Sequence, residues 1–294
     1  FRSDPAASAL GWPQESYPVM WPDPSAASGD VPSYVGKDCF TQPADSELKP
    51  CDMGDLESPV HVLAVGDSKL SQYYDALDAA GKANGWHITM YAKGSCPFSD
   101  ATRVRDGEVW KICSEWNDAL MAAIFADPPA AVITSQGANT GILERNGARG
   151  EETRADAVAG MTSAWSRLTA AGIPVLALID NPRAPSGFDP YTCLTDHRDD
   201  ETECSYDRDK ALAGSGAPAQ FETVANVPDS YAIDVTDFLC PQERCAPVIG
   251  NVIVHRDAAH LTNTYAKSLA PVLATRLAAA AAQAGIPVPT IPNG

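Results

Sequence analysis

Positive charge is scarce. Lysine and arginine total 21 against 38 aspartates and glutamates, for a formal net charge of −17. A polyanion would be repelled by such a surface, and no Lys/Arg cluster offers a local exception, so nucleic acid is not an expected partner. The same balance disfavours docking of the general surface on an anionic membrane. Long apolar runs are missing too. The nearest candidate, Leu269 to Val288, is interrupted by Arg276, Gln283 and prolines, so no segment reads as a bilayer span. No C-x-x-C occurs and no histidine lies at ligand spacing from a cysteine, which argues against zinc. No internal repeat is evident. No methionine or signal sequence stands at Phe1, and the expectation is an excised or mature part of a longer protein.

What is present describes a soluble globule: 294 residues, 45% hydrophobic and 20% charged, enough for one large domain or two small ones. Eight cysteines fall as four successive pairs. Eight allow about a hundred connectivities. Nearest-neighbour pairing is the simplest: Cys39–Cys51, Cys96–Cys113, Cys193–Cys204 and Cys240–Cys245. Disulfides place the chain in an oxidising, extracytoplasmic compartment.

Residues 1–55 are proline-rich, which excludes a long helix. Trp12, Tyr17, Trp21 and Tyr34 make the segment too apolar for a free linker. It reads as a coil-rich extension lying against the main body, which spans residues 56–294. From Val60 the texture changes to strands alternating with helices. Apolar runs at Val60–Val65, Trp86–Tyr91, Ala130–Thr134, Pro174–Ile179 and Tyr231–Val235 read as buried strands. Helical spacing covers Lys69–Asn84, Ser114–Phe125, Glu151–Ala171, Pro218–Asn226 and Thr262–Ala284. Residues 180–205 read as a long loop, and a small hairpin is expected around Gly250-Asn251. This alternation predicts an α/β fold: a three-layer α/β/α sandwich with a five-stranded parallel sheet and disulfide-stapled loops. Ligands bind such sheets beyond the carboxyl ends of the strands.

Those ends carry chemistry. Gly66-Asp67-Ser68 follows the first strand, Gly94 the second and Gly137-Ala138-Asn139 the third, while Asp257-Ala258-Ala259-His260 precedes the last helix. A serine hydroxyl needs a base to take its proton. His260 suits that role, and Asp257 suits the orientation of its ring. The Ser68 and Gly94 amides and the Asn139 side chain are candidate oxyanion donors. Other readings exist for the same residues. Ser68 can be read as a helix N-cap, Asn139 and Gly141 as turn residues, and His260 as a surface histidine. Asp67 reads as holding the serine loop through backbone amides. His61 and His87 read as packed core residues, and residues 196–201 as a solvated acidic loop.

These four blocks, in order at strand ends, resemble the SGNH hydrolase superfamily over roughly residues 58–284. The resemblance implies Ser68 as nucleophile, His260 as base, Asp257 as its orienting group, and Ser68, Gly94 and Asn139 as the oxyanion hole, with Ser95 as a substitute for Gly94. A narrower resemblance rests on Gly94-Ser95-Cys96-Pro97, Cys113 and Asp257 to Thr262. It is to the extracytoplasmic SGNH domain of acyltransferase family 3 membrane proteins, which acylate bacterial surface glycans and glycolipids. It implies an O-acyltransferase, with acetyl the common group, a cell-surface glycan or glycolipid acceptor, and an N-terminal membrane domain that relays the acyl donor. No cofactor or metal is implied. The chain departs from the family in having Lys69 where a histidine often follows the serine. Lys69 is expected either to contact the substrate or to face solvent. A secreted esterase or deacetylase using water, and a non-catalytic glycan-binding module, are the alternatives.

Overall fold

The computed structural model describes residues 19–105, 108–137 and 153–288. Asn139, Gly141 and the expected helix start at Glu151 lie outside them. The strands of the main sheet are β1 (Cys51–Gly54), β2 (His61–Gly66), β3 (His87–Ala92), β4 (Ala131–Ser135), β5 (Val175–Leu178) and β6 (Ser230–Ile233). Their order across the sheet is β1-β3-β2-β4-β5-β6. β2 to β6 pair in parallel, as the alternation predicts. β1 is an addition: it runs antiparallel along β3, pairing Cys51 with Met90 and Gly54 with His87. Among the described residues the sheet therefore has six strands rather than five. Its extra edge comes from the segment expected to be coil, so the boundary at residue 55 cuts off a strand whose Cys51 and Met53 are core residues.

The helices are α1 (Ser68–Ser71), α2 (Tyr74–Asn84), α3 (Lys111–Ala126), α4 (Arg154–Ala170), α5 (Pro190–Asp196), α6 (Arg208–Ala213), α7 (Ala217–Asn226), α8 (Thr236–Leu239), α9 (Asn263–Ser268) and α10 (Ala270–Ala284). One face of the sheet, with Val62, Ala64, Ile88 and Ile133, packs on α2, α9 and α10. The other face, with Leu63, Val65, Val132 and Val175, packs on α3, α4 and α7. Burial on both faces explains why the parallel strands read as unbroken apolar runs.

Two expected helices are broken. The run Lys69–Asn84 splits at Gln72-Tyr73, where the Tyr73 amide turns back to the Leu70 carbonyl and the Gln72 side chain is drawn into tertiary hydrogen bonds. The run Thr262–Ala284 splits at Leu269, because Pro271 has no N–H to continue the ladder. The loop 180–205 contains α5 and a 3-10 turn at Glu201–Cys204, and Glu201 is buried rather than solvated. The expected hairpin is present: Val248–Ile249 pairs with Val252–Ile253, and Gly250 and Asn251 both adopt positive φ, as a two-residue hairpin turn requires.

The disulfides are Cys39–Cys51, Cys96–Cys113, Cys193–Cys204 and Cys240–Cys245. Cys39–Cys51 ties the extension to β1. Cys96–Cys113 ties the loop after β3 to α3.

Candidate active site

β2 delivers Gly66, Asp67 and Ser68 to the carboxyl edge of the sheet. Gly66 pairs with Ser135 of β4, and a Cβ there would lie 2.3 Å from the Ser135 carbonyl oxygen. The glycine is thus needed for close strand approach rather than for a positive φ. The N-cap of α1 is Asp67, not Ser68: one Asp67 oxygen accepts the Lys69 amide at 2.8 Å. The other accepts the Gly137 amide at 3.2 Å, which binds the loop after β4 to the serine turn. Burial raises the pKa of Asp67, against the lowering effect of these two amides. Ser68 is left as the first residue of the turn, partly exposed, and its N–H donates to no acceptor among the described residues.

His260 arrives from the other end of the chain. Val254 and Thr262 are joined by a backbone hydrogen bond, as are Arg256 and His260, so residues 254–262 form a closed loop at the sheet edge. Within it, Asp257 Oδ1 accepts the amides of Ala259 and His260, each at 2.7 Å. The carboxylate also reaches His260 Nδ1 at 3.0 and 3.1 Å. Burial alone would raise the Asp257 pKa. The bond to the His260 ring, its charge and the two amides outweigh burial and hold the carboxyl well below the usual carboxylate range. A carboxylate at Nδ1 keeps the proton on that nitrogen. Nε2 is then the acceptor, and it lies 2.9 Å from Ser68 Oγ. The arrangement can take a proton from the serine hydroxyl.

The other expected site residues stand differently. The Gly94 amide donates to the Thr41 carbonyl at 3.0 Å, so it is not available to an oxyanion. The extension that supplies Thr41 folds along the end of β3 and takes the bond. Ser95, the substitute, is exposed and has positive φ. Lys69 neither faces solvent nor is open to a substrate. It is 6% exposed, and its Nζ pairs with Asp180 at 3.1 Å, donates to Asn181 Oδ1 at 2.6 Å and donates to the Ala259 carbonyl. His61 and His87 are half-buried near one sheet edge, in a cluster with Thr89 and Asp52. Among the described residues, no group of His, Cys, Asp or Glu is arranged to hold a metal, and no helix is long and apolar enough to cross a membrane.

Sequence reasoning missed Asp180, Asn181, Gln72 and His255. The first two lie just beyond the carboxyl end of β5, where the strand-end rule points. His255 is fully buried, with Nδ1 3.1 Å from the Tyr206 hydroxyl and Nε2 3.1 Å from the Pro182 carbonyl. Burial, assisted by the Lys69 charge, lowers its pKa to about 4.

A three-layer sandwich with a serine, histidine and aspartate joined at its strand ends is the SGNH hydrolase class of fold. The family model described as the SGNH domain (fused to AT3 domains) matches residues 38–275, and the chain belongs to that family. Among solved structures, the periplasmic domain of a Salmonella ser. Paratyphi A lipopolysaccharide acetyltransferase superposes with a TM-score of 0.58 at 13% identity, covering 88% of this chain and 98% of that one. A candidate acylhydrolase of Bacteroides fragilis aligns at a TM-score of 0.45 and 13% identity, over 86% of this chain and 96% of that one. No curated protein matches the sequence.

Proposed function

We propose that this domain is a serine-based O-acyltransferase, probed most simply with acetyl. The observation that carries the reading is the 2.9 Å contact between Ser68 Oγ and His260 Nε2, with Asp257 behind the ring. Ser68 Oγ attacks the acyl carbonyl while His260 Nε2 takes its proton. The oxyanion is met by the Ser68 N–H, with Asn139 as a second donor. The donor's leaving group departs with the proton held on His260. An acceptor hydroxyl then gives its proton to His260 and attacks the acyl-serine, and Ser68 Oγ leaves with that proton. The scheme needs no cofactor.

The acceptor in this reading is a hydroxyl of a cell-surface glycan or glycolipid, and an AT3 membrane domain of the same protein relays the acyl group. The family description, with its fusion to AT3 domains, supports that partner. Four disulfides support an extracytoplasmic location, as does likeness to a domain described as periplasmic. Water in place of the acceptor would make the same site an esterase.

The test is incubation with p-nitrophenyl acetate followed by peptide mass spectrometry. The peptide containing Ser68 should gain one acetyl group, and Ser68→Ala should gain none there while keeping its melting temperature. Turnover of the ester that survives Ser68→Ala unchanged would refute the serine reading. Adding a glycan acceptor separates the two outcomes: acetylated glycan identifies a transferase, acetate alone an esterase.

A further inference from the structure

The turn that carries Ser68 also holds the backbone on both sides of His260. Lys69 donates to the Ala259 carbonyl, which belongs to the peptide group preceding His260. Gln72 Oε1 accepts the Leu261 amide at 2.9 Å, which belongs to the peptide group following it. Both side chains are buried, and both meet on Asn181. Its Oδ1 accepts from Lys69 Nζ at 2.6 Å and from Gln72 Nε2 at 2.9 Å.

The floor beneath them is itself anchored. Asp180, paired with Lys69, accepts the Gly216 amide at 2.7 Å, and its own amide donates to Gln220 Oε1 at 2.8 Å. Asn181 Nδ2 donates to the Pro182 carbonyl at 2.9 Å. Through Asp180 the Lys69 contact is thus tied to the start of α7, and through Asn181 both side chains are tied to the segment that follows β5. Local bonds from Asp257 set the rotation of the His260 ring. They do not set the distance from the loop to α1, because Asp257 lies in the same loop.

We infer that Lys69 and Gln72 are positioning residues that fix the His260 loop at hydrogen-bonding distance from Ser68, with Asp180 and Asn181 as their base. This rests on the proposed role of His260 as the base acting on Ser68. Lys69 acts through His260 and not on the substrate. A displacement of about 1 Å at a reacting pair can cost on the order of 10²-fold in rate.

Lys69→Met alone would strand the Asp180 carboxylate in the interior, a large destabilisation in its own right. The variants are therefore Lys69→Met/Asp180→Asn, which removes both charges, and Gln72→Met, which removes none and keeps the test available if the first does not fold. Each is made with His260 intact and again with His260→Ala. Acetylation of Ser68 by p-nitrophenyl acetate is followed by intact mass, and turnover is measured where it occurs.

With His260 present, each variant should lower kcat by about 10- to 100-fold and leave KM within about twofold. In the His260→Ala background the same changes should leave the acetylation rate within about twofold, because no base remains to be positioned. Equal losses in both backgrounds would report general loosening and overturn the inference. Unchanged kcat with His260 present would overturn it as well. Should Ser68→Ala and His260→Ala themselves retain wild-type rates, the serine mechanism fails and the positioning role falls with it. That result is distinct from a failure of the clamp alone.

Discussion

The Asp257 carboxylate meets the Nδ1 of His260 from three positions earlier in the same loop, and the same carboxylate accepts two amides of that loop. Orientation of the ring is therefore a local property, supplied by one side chain. Asp257→Asn keeps the size of the group but replaces an oxygen with an NH2 that cannot accept from Nδ1–H. It favours the tautomer in which Nε2 carries the proton, which blocks transfer from Ser68. Steady-state esterase assays should show kcat falling by up to about 10⁴-fold with the fold retained. Near-wild-type turnover in this variant would remove Asp257 from the mechanism.

A second prediction concerns acid. His255 is buried and neutral, with its pKa lowered from 6.5 to about 4 by burial and by Lys69. In the unfolded chain it takes up a proton near pH 6.5; in the folded chain it does not until about pH 4. Its contribution to stability is therefore complete above pH 6.5 and is lost as pH falls towards 4, by about 3 kcal/mol. His255→Gln can keep one donor and one acceptor for Pro182 and Tyr206 but does not titrate. Urea unfolding at pH 7, 5.5 and 4 should show a shallower decline for the variant. Parallel declines would mean that His255 is not the group responsible.

Gly66 gives a third. A methyl group at this position would meet the Ser135 carbonyl at 2.3 Å, and backbone cannot swing aside as a side chain can. Gly66→Ala should separate the ends of β2 and β4, costing about 1–3 kcal/mol and most of the activity, because Ser68 follows two residues later. Gly29→Ala, where an added Cβ meets nothing within 4 Å, is the control for the alanine itself. Matching melting temperatures for the two variants would contradict the packing argument.

The parallel core was legible because burial on both faces leaves its mark as runs such as Val62-Leu63-Ala64-Val65. β1 was not, since four residues, Cys-Asp-Met-Gly, are too few to show alternation and sit among prolines. The serine and histidine loops were legible as short motifs at strand ends. What surrounds them was not. A lone Asp180-Asn181 pair has no pattern to distinguish it from turn chemistry. Lys69 beside Ser68 suggests a substrate contact until the position of Asp180, 111 residues further on, is known. The loss of the Gly94 amide to Thr41 likewise depends on where the extension lies, which periodicity does not encode.

The disulfides have a consequence for how the molecule is made. Their sequence separations are 12, 17, 11 and 5, and none crosses or encloses another. Each can close as soon as its own short segment meets an oxidant, in order of emergence and without waiting for the rest of the chain. Ser68 and His260, by contrast, are 192 positions apart and cannot meet until almost all of the chain is available. Oxidation and assembly of the site are thus separable events: a newly made chain can carry all its cross-links while Ser68 and His260 are still apart.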